Sequence, residues 1–251
     1  PNISSQQSRH QFDMRILTIL GARPQFIKAA TVSRAILNHN QNCLGSSGIH
    51  EFILHTGQHF DSNMSDIFFE QMDIPRPDHF LGVSGLSHGA MTGRMLEGIE
   101  KIILEEKPDI VLVYGDTNST LAGAIAAVKL HVPVAHVEAG LRSFNLAMPE
   151  EVNRTLTDRV STFLFCPTNT AVENLENEGY PFQLPHKNKQ QILNVGDVMY
   201  DATLFYREKA CSTYDLSTWG LDKKGYVLFT LHRAENTDDP ARLEAILKAL
   251  A

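Results

Sequence analysis

The sequence predicts an α/β fold in which helices cover a parallel sheet. Short apolar, β-branched runs alternate along the chain with longer segments of helical period, the pattern of repeated β-α units. Almost every run ends in a glycine or polar cluster, and in open α/β sheets that is where ligands bind. With 251 residues and 43% hydrophobic content, the chain is long enough for one large core, or for one domain and part of another.

Seven strand-like runs are expected: Met14–Gly21, Glu51–Thr56, Asp109–Tyr114, Val132–Val137, Phe163–Cys166, Gln191–Val195 and Gly225–Leu231. Helices are expected near Pro24–Asn38, Met64–Gln71, His88–Glu105, Ser119–Leu130, Pro149–Thr162, Asn169–Glu178 and Tyr200–Ala210, with a last one after Asp238-Asp239-Pro240. Pro24 suits a first helical turn, where its missing N–H has no intrahelical partner. Met91 and Met95 read as core packing on the long third helix. Residues 1–13 read as a flexible extension or remnant, 14–196 as one domain, and 197–251 as the beginning of a second. A lone strand with two helices cannot bury both faces of a sheet, so that second domain reads as unfinished.

A formal net charge of -7 argues against a general polyanion binder. No apolar run approaches the roughly 20 residues of a membrane span, and the polar start lacks a signal-peptide core, which points to the cytoplasm. Cys43, Cys166 and Cys211 are odd in number and far apart, so neither a disulfide framework nor a zinc site is suggested, and reduced, mostly buried thiols are expected. His55 and His59 flank a glycine turn and do not share a helix face, which speaks against a metal.

Gly21-Ala22-Arg23-Pro24, with Lys28 after it, puts two cations and a helix start at the end of the first run. That suits a diphosphate, and equally a tight turn with solvated cations. The absence of G-x-G-x-x-G there lowers the odds of NAD or FAD. Asp116 reads either as an N-cap or as a catalytic carboxylate. Glu138 follows the apolar run ending His136-Val137, where burial opposes ionisation and favours proton transfer; a structural ion pair with Arg142 is the rival reading. Pro149-Glu150-Glu151 opens a helix, so one glutamate can serve only as a cap. His232, Arg233, Glu235 and Asn236 sit between a strand and a helix start and fit an anion site.

The ordered set GARPQFIK (21–28), HTGQHFD (55–61), GDTNSTL (115–121), HVEAGLRS (136–143), MPEEVNR (148–154), LFCPT (164–168), VGD (195–197) and HRAEN (232–236) resembles the non-hydrolysing UDP-N-acetylglucosamine 2-epimerase family. Within it, the chain is especially similar to the branch that acts on UDP-2,3-diacetamido-2,3-dideoxyglucuronate for surface polysaccharides. The resemblance implies two Rossmann-like domains in the glycosyltransferase-B arrangement, a homodimer, no nicotinamide and no metal. It implies interconversion of UDP-N-acetylglucosamine and UDP-N-acetylmannosamine by anti elimination of UDP and its re-addition. By matching position, Asp116, Glu138 and Glu150 would handle protons or stabilise the oxocarbenium ion. Arg23, Lys28 and His232 would hold the diphosphate, with His232 among the catalytic set, and Gly21, Arg142, Arg233, Glu235 and Asn236 would line the substrate. A D-S-G-G-x-Q-E-E motif of the family has no match here, which implies that these 251 residues alone are inactive or nearly so.

Three rivals stand beside that expectation. A retaining glycosyltransferase of the same architecture would need an acceptor, and a hydrolysing epimerase would release free sugar and UDP. A non-catalytic sugar-nucleotide sensor gives no reason to line an anion pocket with carboxylates.

Overall fold

The computed structural model describes residues 14–42, 48–58, 69–70, 73–184, 189–231 and 234–250, with residues 234 and 235 described by backbone alone. Residues 1–13, most of the expected helix at 64–71, Cys43, His59, His232 and Arg233 lie outside them. Seven strands form one wholly parallel sheet: β1 Met14–Leu20, β2 Ile49–His55, β3 His79–Phe80, β4 Ile110–Tyr114, β5 Val134–Val137, β6 Phe163–Cys166 and β7 Gln191–Asn194. Their order is β3-β2-β1-β4-β5-β6-β7, so the winding direction reverses between β1 and β4. The connections diverge at that switch point and open a crevice beyond the strands' carboxyl ends.

The helices are α1 Arg23–Asn42, α2 His88–Glu106, α3 Asn118–Lys129, α4 Pro149–Val160, α5 Asn169–Asn177 and α6 Val198–Thr213, followed by α7 Ala234–Thr237 and α8 Pro240–Leu250. Alternation along the strands assigns the two faces. Leu17, Ile19, Val111 and Val113 pack with Met95, Ile99 and Ile103 of α2 and with the alanines of α3. Leu20, Leu112, Tyr114, Ala135 and Val137 pack under Phe26, Ala29 and Ala30 of α1. Apolar residues on both faces are what a sheet covered by helices on both sides requires. Met95 is fully buried and Met91 packs at the edge of the same cluster, so both methionines are core, as their spacing suggests.

The strands divide where the polar clusters begin, and most elements lie within a few residues of their expected bounds. Two differ. β3 is a two-residue strand that the sequence does not announce; it pairs with the end of β2. The run 225–231 is not a strand, and Val227 and Leu228 are 87% and 89% exposed. Among the described residues no neighbouring strand takes up its ladder, and an unpaired apolar run has no reason to hold extended geometry. A third difference concerns the thiols: Cys166 is buried in β6, but Cys211 on α6 is exposed.

The chain divides into two compact units, residues 1–206 and 207–251. The division falls within α6, ten residues past the expected boundary near Gly196. In the second unit Asp215 caps a single 3-10 turn at Leu216–Trp219, and the Asp239 carboxylate accepts from the backbone of Ala241 and Arg242 to start α8. Among the described residues no helix is long and apolar enough to cross a membrane.

Candidate active site

At the end of β1 the chain makes a tight turn into α1. A Cβ on Gly21 would lie 2.1 Å from Ser119 Oγ and 2.3 Å from Thr56 Oγ1, which leaves room for glycine alone. The Gly21 and Ala22 amides donate to Gln25 Oε1 at 2.8 and 3.0 Å, so these donors are already satisfied. Gly21 thus serves close packing, and a buried amide side chain holds its N–H. The other end of Gln25 donates to the Tyr114 carbonyl at 2.8 Å and to Thr120 Oγ1 at 3.0 Å, tying the β1 turn to the β4 turn. Arg23 stands exposed at the first position of α1.

One turn further into α1, Lys28 reaches across the crevice and pairs with Glu138 just beyond β5. Both side chains are close to buried, 12% and 13% exposed. The pair is admitted by Gly115, whose Cβ would sit 3.3 Å from both Glu138 Oε2 and Lys28 Nζ, and whose φ of +63° suits glycine. Glu138 itself has φ +68°, a left-handed conformation that costs an L-residue roughly 1–2 kcal/mol. Such strain persists where surrounding structure over-determines it, commonly at functional sites. Its partner is Lys28, not the Arg142 of the rival reading.

Asp116 follows Gly115. It does not cap α3: Thr117 does, accepting from the Thr120 amide in a reciprocal capping box. The Asp116 carboxylate is left to pair with Arg154 of α4, and its carbonyl accepts from Asn153 Nδ2 at 2.9 Å. Arg154 also holds Glu151 at 2.8 Å. Of the two glutamates that open α4, Glu151 is the structural one. It is buried, and it accepts from the Ser143 and Phe144 amides and from Ser143 Oγ. Burial opposes its ionisation, but those hydrogen bonds and the Arg154 charge outweigh it and hold its carboxyl below the usual range. Glu150, its neighbour, is exposed in the first turn of α4.

Arg142 is held by partners within the protein. Its side chain is 1% exposed, donates to Asp158 at 2.7 Å and grips Glu178 through two bonds of 2.7 and 2.9 Å. A fourth bond goes to the Leu141 carbonyl. With four of five N–H donors spent on protein partners, this guanidinium acts as a strut within the chain.

Sequence reasoning missed Arg154, Asn153 and Gln25. All three sit inside the family-like motifs GARPQFIK and MPEEVNR, and an i,i+3 spacing from Glu151 was the available signal for Arg154. In the second unit Asn236 lies in α7, as does the backbone of Glu235. Glu138 and Lys28 thus meet at Gly115, Asp116 follows that glycine in the chain, and Glu150 stands on the same helix as Arg154, one turn before it.

A family model described as UDP-N-acetylglucosamine 2-epimerase matches residues 41–251. The chain belongs to that family. It is 59% identical over 237 residues to a UDP-2,3-diacetamido-2,3-dideoxy-D-glucuronate 2-epimerase of Pseudomonas aeruginosa, covering 94% of this chain and 62% of the relative. It is 43% identical over 240 residues to a UDP-N-acetylglucosamine 2-epimerase of Methanocaldococcus jannaschii, with the same coverage. A crystal structure of the M. jannaschii UDP-GlcNAc 2-epimerase in complex with UDP-GlcNAc and UDP superposes with a TM-score of 0.79 at 44% identity, over 94% of this chain and 62% of that one. The chain therefore spans about three fifths of the length of these family members.

Proposed function

We propose that this chain supplies the sugar-side half of a UDP-sugar 2-epimerase, with residues 207–251 opening a second, nucleotide-binding domain in a glycosyltransferase-B arrangement. The observation that carries the reading is the Lys28–Glu138 pair at Gly115, beside the Asp116–Arg154 pair, in a member of this family. A substrate diphosphate competes for Lys28, and a Lys28 turned toward phosphate uncovers the Glu138 carboxylate at the moment the sugar arrives. The C2 hydrogen is not α to a carbonyl, so its removal requires the C1–O bond to UDP to be breaking and nearby carboxylates to stabilise the positive ring. Elimination gives a C1=C2 glycal; UDP then re-adds at C1 while a proton reaches C2 on the opposite face. Two acid/base groups in different environments are needed, which Glu138 and Asp116 or Glu150 supply. Arg23, His232, Arg233, Glu235 and Asn236 complete the substrate set in this reading, in a cytoplasmic homodimer without metal or nicotinamide.

The primary substrate pair is UDP-N-acetylglucosamine and UDP-N-acetylmannosamine. The 59% identity to the P. aeruginosa enzyme favours UDP-2,3-diacetamido-2,3-dideoxyglucuronate as the second candidate. The test is the chain continued to the full length of its relatives, incubated with each UDP-sugar in heavy water. Inversion at C2 with one deuterium at C2 is expected. Inversion without exchange refutes elimination, transfer to an acceptor indicates the glycosyltransferase, and free sugar with UDP indicates a hydrolysing enzyme. Glu138→Gln lowers kcat by about 10²–10⁴-fold, the usual worth of a general acid or base, with little change in UDP affinity.

A further inference from the structure

We propose that His136 is a positioning residue: donating from both ring nitrogens, it ties the Gly115 carbonyl to Asp158 and so fixes the turn that leads from β4 into Asp116. What that turn does for turnover rests on the epimerase reading; the tie itself does not.

His136 is fully buried near the end of β5, yet both ring nitrogens lie 2.7 Å from oxygen, Nε2 from the Gly115 carbonyl and Nδ1 from Asp158 Oδ1. A carbonyl only accepts, so Nε2 carries a proton. Asp158 could donate to Nδ1 only as a neutral acid. Its other oxygen, however, already accepts from Arg142 Nη1–H at 2.7 Å and the Gly140 amide at 3.1 Å, the geometry of a carboxylate ion-paired with a guanidinium. Nδ1 must then carry a proton as well. The charges close: the His136 imidazolium and Arg142 face the carboxylates of Asp158 and Glu178, which satisfies the rule that buried charge be paired.

The tie acts on a turn with little freedom of its own. Gly115 is left-handed, its amide donates to the Val137 carbonyl at 3.0 Å, and its carbonyl leads directly into Asp116. Holding that carbonyl from behind sets the peptide plane that carries the Asp116 backbone. On the crevice side of the same glycine stand Glu138 and Lys28. His136 touches no reacting atom; it acts through Gly115.

Two measurements on this polypeptide test the tie directly. Nitrogen-15 spectra of the histidine rings at neutral pH should give His136 a bound proton on each nitrogen, and one bare nitrogen overturns the proposal. Glutamine places its amide nitrogen near Nε2 and asparagine near Nδ1. His136→Gln should therefore leave the backbone amide shifts of Gly115 and Asp116 near wild type, while His136→Asn displaces them. The reverse order, or equal displacement, overturns it. If either variant fails to fold, the ring spectrum of the wild-type chain decides. In the chain continued to the length of its relatives, His136→Asn should lower kcat roughly tenfold more than His136→Gln with KM little changed, the worth of one buried hydrogen bond. Losses that simply follow melting temperature assign a bulk structural role and overturn the positioning claim. A wild-type protein without epimerase activity, but with the doubly protonated ring and the Gln/Asn shift pattern, refutes the function reading and leaves the turn-fixing role standing.

Discussion

Replacing Gly140 with alanine tests whether the loop behind the site is held by contact or only by backbone conformation. Gly140 has φ +78°, and a Cβ there would meet the Ala171 carbonyl oxygen at 2.3 Å and its carbon at 2.8 Å. Left-handed geometry costs alanine roughly 1–2 kcal/mol, and forcing a methyl against packed backbone adds about 1–3 kcal/mol. Gly179, just past α5, separates the two contributions: its φ is +84°, but nothing lies within 4 Å of its Cβ position. Gly179→Ala should therefore lose only the conformational share, about 1 kcal/mol. Gly140→Ala should lose about 2–5 kcal/mol, which in a unit of this size lowers Tm by about 4–20 °C. Urea denaturation of both variants, at unchanged m-value, measures the difference. Equal losses in the two would refute the steric argument, and a loss under about 0.5 kcal/mol at Gly140 would refute both parts.

Three further outcomes follow from buried polar groups. Burial raises the Glu51 carboxyl above 4.5, outweighing the Thr18 hydroxyl that donates to it at 2.5 Å. Since the folded value is the higher one, the unfolded chain gives up its proton first; stability falls as pH climbs past about 4.5 toward the folded value. Glu51→Gln should remove that decline, so its stability relative to wild type must grow between pH 4.5 and 7 in urea titrations; a constant difference contradicts the assignment. Arg142→Met leaves Asp158 and Glu178 without their shared cation and should cost about 3–5 kcal/mol by thermal or chemical denaturation, and a neutral result would refute the strut. A thiol reagent with peptide mapping should modify exposed Cys211 in the folded chain. Cys166, pushed up to about 12 by burial and the nearby Asp158 charge, should react only on unfolding.

What the sequence disclosed and what it hid divide along one physical line. Periodicity and caps are local, so α2, α3 and α4 begin within a residue of their expected starts, and the polar clusters mark the strand ends correctly. Pairing is not local. The apolar run 225–231 has the composition of a strand and lacks a neighbour among the described residues, whereas His79–Phe80 has almost no pattern and becomes a strand because the end of β2 stands open beside it. The same limit applies to the site. The residue types at Asp116 and Glu138 signalled chemistry, but nothing near Arg142 in sequence says that its partners are Asp158, 16 residues on, and Glu178, 36 on. A loop arginine looks the same whether it binds a ligand or braces the chain.

The pairing of charges carries a consequence for how such a site would turn on. Each carboxylate at the β4 and β5 ends has a cation on a covering helix: Glu138 has Lys28 of α1, and Asp116 has Arg154 of α4. In the free chain these groups satisfy one another, and the nearly buried Glu138 carboxylate is occupied by the Lys28 ammonium. An anionic ligand that recruits either cation must break a pair, and the carboxylate it releases is then free to meet the ligand. On the proposed reading, diphosphate binding and the uncovering of Glu138 are therefore one event, driven by the same displacement of Lys28. A neutral sugar lacking the diphosphate would leave the pair closed, so it should neither exchange its C2 hydrogen nor invert.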